Sequence, residues 1–208
     1  LKTLESYFEK LDEKSFRAQQ LLKWIYQRGV IDIELMTNFS TSLRSFLKEN
    51  TLIKLPEIIS EKKSEDGTKK WLIKVDEKNS IETVFIPEND RGTLCISTQV
   101  GCALDCKFCS TAKQGFNRNL TTSEIIGQVW VANKMLGHFK SGKRIITNIV
   151  FMGMGEPLLN YNNVIKTINL LTNDHAFGLS KRRVTVSTSG IIPGIDRLKE
   201  DNKVSLAI

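Results

Sequence analysis

The sequence predicts an α/β protein in which a small N-terminal helical domain and a short antiparallel β extension precede a parallel sheet or barrel of βα units. Three observations carry that prediction. Apolar residues recur at helical spacing over residues 1–50, the period falls to two over residues 56–91, and from residue 93 strand-like and helix-like segments alternate. At 40% hydrophobic and 25% charged residues, the 208-residue chain has the make-up of a folded protein, which excludes wholesale disorder.

In residues 1–50, Leu4, Phe8 and Leu11 share one face of a first helix. Phe16, Leu21, Leu22, Trp24 and Ile25 mark a second, ended near Gly29; Leu43, Phe46 and Leu47 mark a third, with Ser40 or Thr41 as its cap. In residues 56–91, Ile58 with Ile59, then residues 71–75, then residues 81–86 read as strands, and Asp66-Gly67 turns the first into the second. Lys62, Lys63, Lys69 and Lys70 flank that turn, where they either keep an edge strand from aggregating or touch RNA. Residues 92–208 alternate as strand 93–98, helix 122–136, strand 145–152, helix 161–171, strand 183–187, helix 193–198 and strand 204–208. Thr122 or Ser123 caps the first of these helices, with Glu124 in its first turn. Ligands of such folds bind at the carboxyl ends of the strands, so the loops after Thr98, Met152 and Ser187 are expected to converge on one site. The chain opens at Leu1 without a Met and stops within a strand pattern, so residues 92–208 are expected to be the N-terminal half of a larger unit, with apolar strand edges exposed.

A net charge of +7 suits a polyanionic partner such as nucleic acid. No apolar run approaches the ~20 residues that cross a bilayer, and the start lacks the pattern of a signal peptide; no membrane contact and a cytoplasmic location are expected. All four cysteines lie between Cys95 and Cys109, a crowding that points to metal or redox chemistry rather than to disulfide staples. Cys102, Cys106 and Cys109 follow a Cys-x₃-Cys-x₂-Cys spacing, from which three thiolates of one loop can face a common point. Structural zinc normally takes four protein ligands. The fourth thiol, Cys95, lies inside a strand, and neither His138 nor His175 has partner spacing. Three thiolates leave one iron of a [4Fe–4S] cluster open to a small molecule; a zinc site or plain buried thiols is the other reading. Gly153-Met154-Gly155-Glu156-Pro157 by itself is a tight turn, Ser187 a turn hydroxyl, and Glu82 an outward carboxylate on an alternating strand.

Cys-x₃-Cys-x₂-Cys after the first strand of the alternating region resembles the radical S-adenosylmethionine (SAM) superfamily. The surrounding words are similar to those of the RlmN family of adenine-C2 RNA methyltransferases: residues 95–102 (Cys-Ile-Ser-Thr-Gln-Val-Gly-Cys), 114–120 (Gln-Gly-Phe-Asn-Arg-Asn-Leu), 127–130 (Gly-Gln-Val-Trp) and 153–157. The likeness extends over essentially the whole chain, Trp24-Ile25-Tyr26 and Met36-Thr37-Asn38 included. It implies a partial radical-SAM (β/α) barrel with a [4Fe–4S] cluster on Cys102, Cys106 and Cys109 and SAM on the open iron. Gly155, Glu156 and Ser187 would contact SAM, Glu156 through its ammonium group. Glu82 would accept a proton at the substrate adenine. Cys95 would resolve a protein–RNA crosslink by forming a disulfide with a methyl-carrying cysteine. No cysteine follows Cys109, so that partner has no counterpart here and the chain by itself is expected to be inactive.

The implied substrates are an adenosine of 23S rRNA and the adenosine 3′ of certain tRNA anticodons, with an electron-donor protein such as a flavodoxin and a monomeric state. Arg118, Lys181, Arg182 and Arg183 are expected near the barrel mouth, as RNA contacts or as solvated charge. A Cfr-type adenine-C8 methyltransferase, a zinc-holding RNA-binding module and a glycyl-radical activase are the competing readings.

Overall fold

The N-terminal segment closes around its own apolar stripe in a computed structural model that describes residues 1–208. α1 (Lys2–Lys10) leads to α2 (Phe16–Leu22), which runs on into a π-helical turn, Lys23–Gln27; a 3-10 turn, Ile33–Leu35, then precedes α3 (Thr41–Asn50). Ser40 caps α3, its hydroxyl accepting from the Leu43 amide at 3.2 Å. Phe8, Met36, Phe39, Leu43 and Leu47 are buried together in a small cluster apart from the main core. Each such side chain removed from water contributes about 1.5–3 kcal/mol.

The π turn is where the sequence words 24–26 and 36–38 meet. Trp24 Nε1 donates to Asn38 Oδ1 at 2.6 Å, while the Ile25 carbonyl on the same turn accepts from Trp130 Nε1 at 2.7 Å. The Tyr26 ring packs on Phe177 at 5.1 Å between centroids. One widened turn thus ties the helical segment to the rest of the molecule, in keeping with the use of π turns at special positions.

Period-two patterning then gives β1 (Glu57–Lys63), β2 (Lys69–Lys74), β3 (Ser80–Glu88) and β4 (Arg91–Cys95), all antiparallel in sequence order. A short hairpin follows, β5 (Gln99–Gly101) with β6 (Phe116–Asn119), and its two arms bracket the cysteine loop. Periodicity does not announce this hairpin, because its strands are three and four residues long, too short for an alternation signal. Next come α4 (Thr122–Met135), α5 (His138–Ser141), β7 (Asn148–Phe151), α6 (Tyr161–Thr172), β8 (Val184–Ser187), α7 (Ile192–Asp201) and β9 (Ser205–Ala207). The cap of α4 is Thr121, one residue before the two expected. Its hydroxyl accepts from the Glu124 amide, and the Glu124 carboxylate accepts from the Thr121 amide, a reciprocal capping box.

One sheet holds seven strands in the order β1-β2-β3-β4-β7-β8-β9, so the antiparallel extension and the parallel βα strands are continuous across β4. β4, β7, β8 and β9 run parallel, as half of a (β/α) barrel does. Alternation sorts the two faces. Trp71, Ile73, Ile81, Phe85, Leu94, Ile149, Phe151, Val184 and Val186 face the helices and form the core with Ile125, Val129 and Val164. The opposite, concave face carries Glu82, Val84, Cys95, Val150, Thr185 and Ser187, none of them buried. The sheet is open, with β1 and β9 as its edges, and Leu206 and Ile208 stand exposed on the β9 side as the sequence led one to expect. No helix is long and apolar enough to cross a membrane.

Candidate active site at the carboxyl ends of the strands

The three loops that leave the parallel strands β4, β7 and β8 come together, joined by a belt of buried polar side chains. Gln128 of α4 is its hub: its Oε1 accepts from Thr83 Oγ1 at 2.7 Å and from the Ser97 amide at 2.8 Å, and its Nε2 donates to the Ser97 carbonyl at 2.9 Å. Ser97 Oγ donates to the Glu82 carbonyl at 2.6 Å and accepts from the Met154 amide at 2.9 Å. Gln99 Oε1 accepts from the Glu156 amide, and Asn160 Nδ2 donates to the carbonyls of Thr98 and Leu120. In a water-poor interior each of these bonds is costly to lose, so the belt fixes the loops relative to one another. Ser97, Thr98, Gln99, Gln128 and Glu156 lie within the matched sequence words, but only Glu156 has an expected role there, and Thr83 and Asn160 lie outside them; buried Ser, Thr and Asn carry no periodic signal.

Glu156 belongs to this belt. It is 4% exposed, its Oε1 accepts from the Leu158 amide at 3.0 Å, and its Oε2 accepts from the amide and hydroxyl of Ser189 at 2.9 and 3.2 Å. The carboxylate therefore caps the turn after β7 and clamps the loop after β8. Gly155 stands at φ 93°, left-handed backbone that favours glycine, and a Cβ there would also drive into Gln99. Ser187, at the carboxyl end of β8, is half-buried on the concave face. The next residue, Thr188, is buried and caps the following turn by accepting from the Gly190 and Ile191 amides.

Glu82 and Cys95 share that concave face with Ser187. The register runs Val84–Cys95, Cys95–Val150 and Val150–Thr185, so Cys95 lies on the second of these four strands, with Glu82 two residues from Val84 and Ser187 two residues from Thr185. Glu82 is exposed and paired with Lys70 at 2.8 Å. Burial pushes the Cys95 thiol up to about 11, the Met152 backbone amide offsetting this only in part. The disulfide expected of Cys95 is not present: all four cysteines are free, and no cysteine follows Cys109 to serve as its partner.

The cysteine loop springs from the β5–β6 hairpin. Gly101, at φ 73°, brings the strands so close that only glycine fits against the Gly115 carbonyl, and the Cys102 amide donates to that carbonyl at 3.0 Å. Cys102, Cys106 and Cys109 are all half-buried. The Leu104 amide lies 3.5 Å from Cys102 Sγ, and hydrogen bonds led by the Ala112 amide pull the Cys109 thiol below its ordinary value. Three free thiols in one loop, with backbone amides on two of the sulfurs, are the donor chemistry of an iron–sulfur cluster. No group of three or more His, Cys, Asp or Glu side chains is arranged to hold a single metal ion.

Of the basic residues expected at the mouth, Arg118 stands on the hairpin of the cysteine loop but is already paired, and the other three lie at the far end. Arg118 is consumed in a bridge to Asp76 at 2.7 Å and Glu124 at 2.8 Å, which locks β6 to α4 and to the β2–β3 turn. Lys181, Arg182 and Arg183 precede β8, and parallel strands put that end opposite the site. Of the lysines at the β1–β2 turn, Lys69 pairs with Glu61 and Lys70 with Glu82.

Comparison with known proteins agrees with this geometry. A family model described as the ribosomal RNA large subunit methyltransferase N-terminal domain matches residues 1–53, and one for the radical SAM superfamily matches residues 96–208. The dual-specificity RNA methyltransferase RlmN of Marinobacter nauticus is 59% identical over 205 residues, which make up 99% of this chain and 56% of that protein. The chain therefore spans little more than half the length of the curated relative it matches. The crystal structure of a radical SAM methyltransferase from Sphaerobacter thermophilus is similar at a TM-score of 0.87 and 37% identity, over 98% of this chain and 59% of that one.

Proposed function

Because the chain belongs to the radical SAM superfamily, we propose that it is the cluster-bearing part of an RNA methyltransferase acting on C2 of adenosine in 23S rRNA and in tRNA next to the anticodon. The observation that carries this reading is the cysteine loop of residues 102–109, set where the loops after β4, β7 and β8 converge. Likeness over nearly the whole chain to a dual-specificity RNA methyltransferase supports that substrate class.

Cys102, Cys106 and Cys109 would hold the [4Fe–4S] cluster, and Gly155, Glu156 and Ser187 would line the SAM site. When bound, the cluster and SAM supply a carbon radical and the methyl group, which an electrophilic carbon such as adenine C2 cannot take by direct attack. The protein's own share is positional and protolytic. The Leu104 amide donates to Cys102 Sγ, and the Ala112 amide favours the thiolate of Cys109. Glu156 keeps the loops after β7 and β8 together through both of its oxygens, so its contribution to SAM binding is to shape the site, with the remaining lone pairs free to accept from an ammonium group. Glu82, on the open concave face and paired with Lys70, would accept the proton leaving adenine C2. Cys95, its thiol held protonated by burial, would act on the reacting base from the same concave face as Glu82. Residues 1–50, 56–91 and 92–208 are read as the helical accessory domain, the β extension and the first half of the barrel. A monomer in the cytoplasm, reduced by a donor protein such as a flavodoxin, completes the proposal.

Anaerobic reconstitution followed by iron, sulfide and zinc analysis tests it, beside a Cys106→Ala chain. The expected result is about four irons and four sulfides per chain, lost in the variant. Stoichiometric zinc with no iron uptake would overturn it.

A further inference from the structure

At the end of the sheet opposite the site, two basic arms meet. Lys140, Lys143 and Arg144 lie in and after α5; Lys181, Arg182 and Arg183 precede β8. Arg144 clamps the arms together, its guanidinium donating to the Phe177 and Gly178 carbonyls at 2.8 and 3.2 Å. All six are exposed and none forms an ion pair, whereas seven other Lys and Arg residues of the chain do. Arg183 reaches Asn148 at 3.1 Å; the side chains of Lys140, Lys143, Lys181 and Arg182 are unengaged.

Beside the arms is a cavity of about 430 Å³ at the seam between the π turn and the sheet, lined by Tyr26, Asn133, His138, Arg144 and Phe177 among others. Its only acidic lining residue is Asp174. Six like charges with a single carboxylate, Asp174, beside them repel one another, and a polyanion would relieve that repulsion. The cavity has the volume of a small-ligand site, and aromatic rings at its wall suit an unstacked base, while the cations outside it are too many and too spread for one phosphate.

We propose that this basic cleft is a second RNA-docking surface, gripping the phosphate backbone of a stem whose loop enters the site at the other end. The inference rests on the RNA methyltransferase reading above and adds to it the place where the body of the substrate is held. The two ends of the molecule lie roughly one strand and its loop apart, about 20 Å at ~3.3 Å per residue, well within the ~16 base pairs that one double-stranded-RNA module spans.

The test is binding of two fluorescent RNAs to the chain, an anticodon stem-loop and its unpaired loop alone as a short oligonucleotide, at several salt concentrations. The triple variant Lys143→Gln/Lys181→Gln/Arg182→Gln should bind the stem-loop about tenfold more weakly, with a salt slope smaller by about two, at ~0.7–0.9 per lost phosphate contact. Its affinity for the loop oligonucleotide should not change. Lys140→Gln/Lys143→Gln, confined to one arm, should show the same selectivity with a smaller loss, and unchanged circular dichroism excludes misfolding as the cause. If the triple variant binds the stem-loop as well as the parent chain does, or loses affinity for both RNAs alike, the second docking surface is refuted and the methyltransferase reading stands. If the parent chain binds neither RNA, both are refuted.

Discussion

The cysteine loop and the polar belt beneath it are neighbours built on opposite rules. Between Cys102 and Cys109 no residue is buried, Phe108 is 94% exposed, and the backbone-to-backbone bonds are one at the base and one turn bond from Cys109 to Cys106. The belt of Thr83, Ser97, Thr98, Gln99, Gln128, Glu156 and Asn160 is at most 4% exposed, and each of its side chains has a partner. The residues expected to hold the cluster are thus held weakly by the fold, and of the belt that holds the fold only Glu156 is also expected to meet a ligand. A loop whose order comes from its ligand needs a frame that does not move when the ligand is lost.

The sharpest way to break this contrast is to remove the hub. Gln128→Leu keeps volume and helix propensity but leaves Thr83 Oγ1 and both backbone groups of Ser97 without partners. Stranded buried polar groups cost about 1–3 kcal/mol each when no water reaches them, and partial relaxation brings the expected loss to about 2–4 kcal/mol. Urea unfolding measures it. A loss below ~0.5 kcal/mol would show that the belt is replaceable and the contrast false.

Much of the frame was legible beforehand, and the reason lies in periodicity. The apolar stripe of Phe8, Leu43 and Leu47, the alternation of Trp71 and Ile73, and the strand–helix rhythm after residue 92 each repeat, so each announces its element. The cysteine spacing was equally plain. What escaped was aperiodic: the β5–β6 hairpin, the belt, and the end of the sheet at which Lys181, Arg182 and Arg183 stand. Arg118 could not be told from a free cation in the sequence, because its partners Asp76 and Glu124 lie 42 and 6 residues away along the chain. The family resemblance makes Glu156 a ligand group, yet its two oxygens hold that loop and the next one.

A smaller effect comes from Arg118, which ties the loop's hairpin to the frame. Hydrogen bonds from Asn79 and then Arg118 hold the Asp76 carboxyl well below the usual range. At Glu124 burial pushes the carboxyl up, but bonds from Arg118 and Thr121 outweigh it and leave it lowered. A carboxylate whose folded pKa is depressed contributes stability that is present above its unfolded value, near 4, and is lost as pH falls through the folded one. Arg118→Met should therefore lower the melting temperature by a few degrees at pH 7. The gap between variant and parent should close as pH falls below about 4, the ordinary range for these carboxyls. A gap that stayed constant down to pH ~2 would mean that Arg118 acts through packing rather than charge.

The gentlest probe leaves the fold untouched and compares two thiols, one on the sheet and one in the loop. Alkylation follows the thiolate, so its rate tracks both pKa and access. Cys95 is half-buried with its thiol raised to about 11, so at pH 8 about one molecule in a thousand carries the thiolate there. Cys109 sits in the open loop with its thiol lowered by the Ala112 amide. Iodoacetamide on the metal-free chain at pH 8, read by peptide mass spectrometry, should label Cys109 first and Cys95 last. Raising the pH should speed Cys95 up to about pH 11, while Cys109 levels off well before. Equal rates at pH 8 would mean that the concave face around Cys95 is as loosely held as the loop, and the division of labour between frame and loop would fail where it is closest to the proposed chemistry.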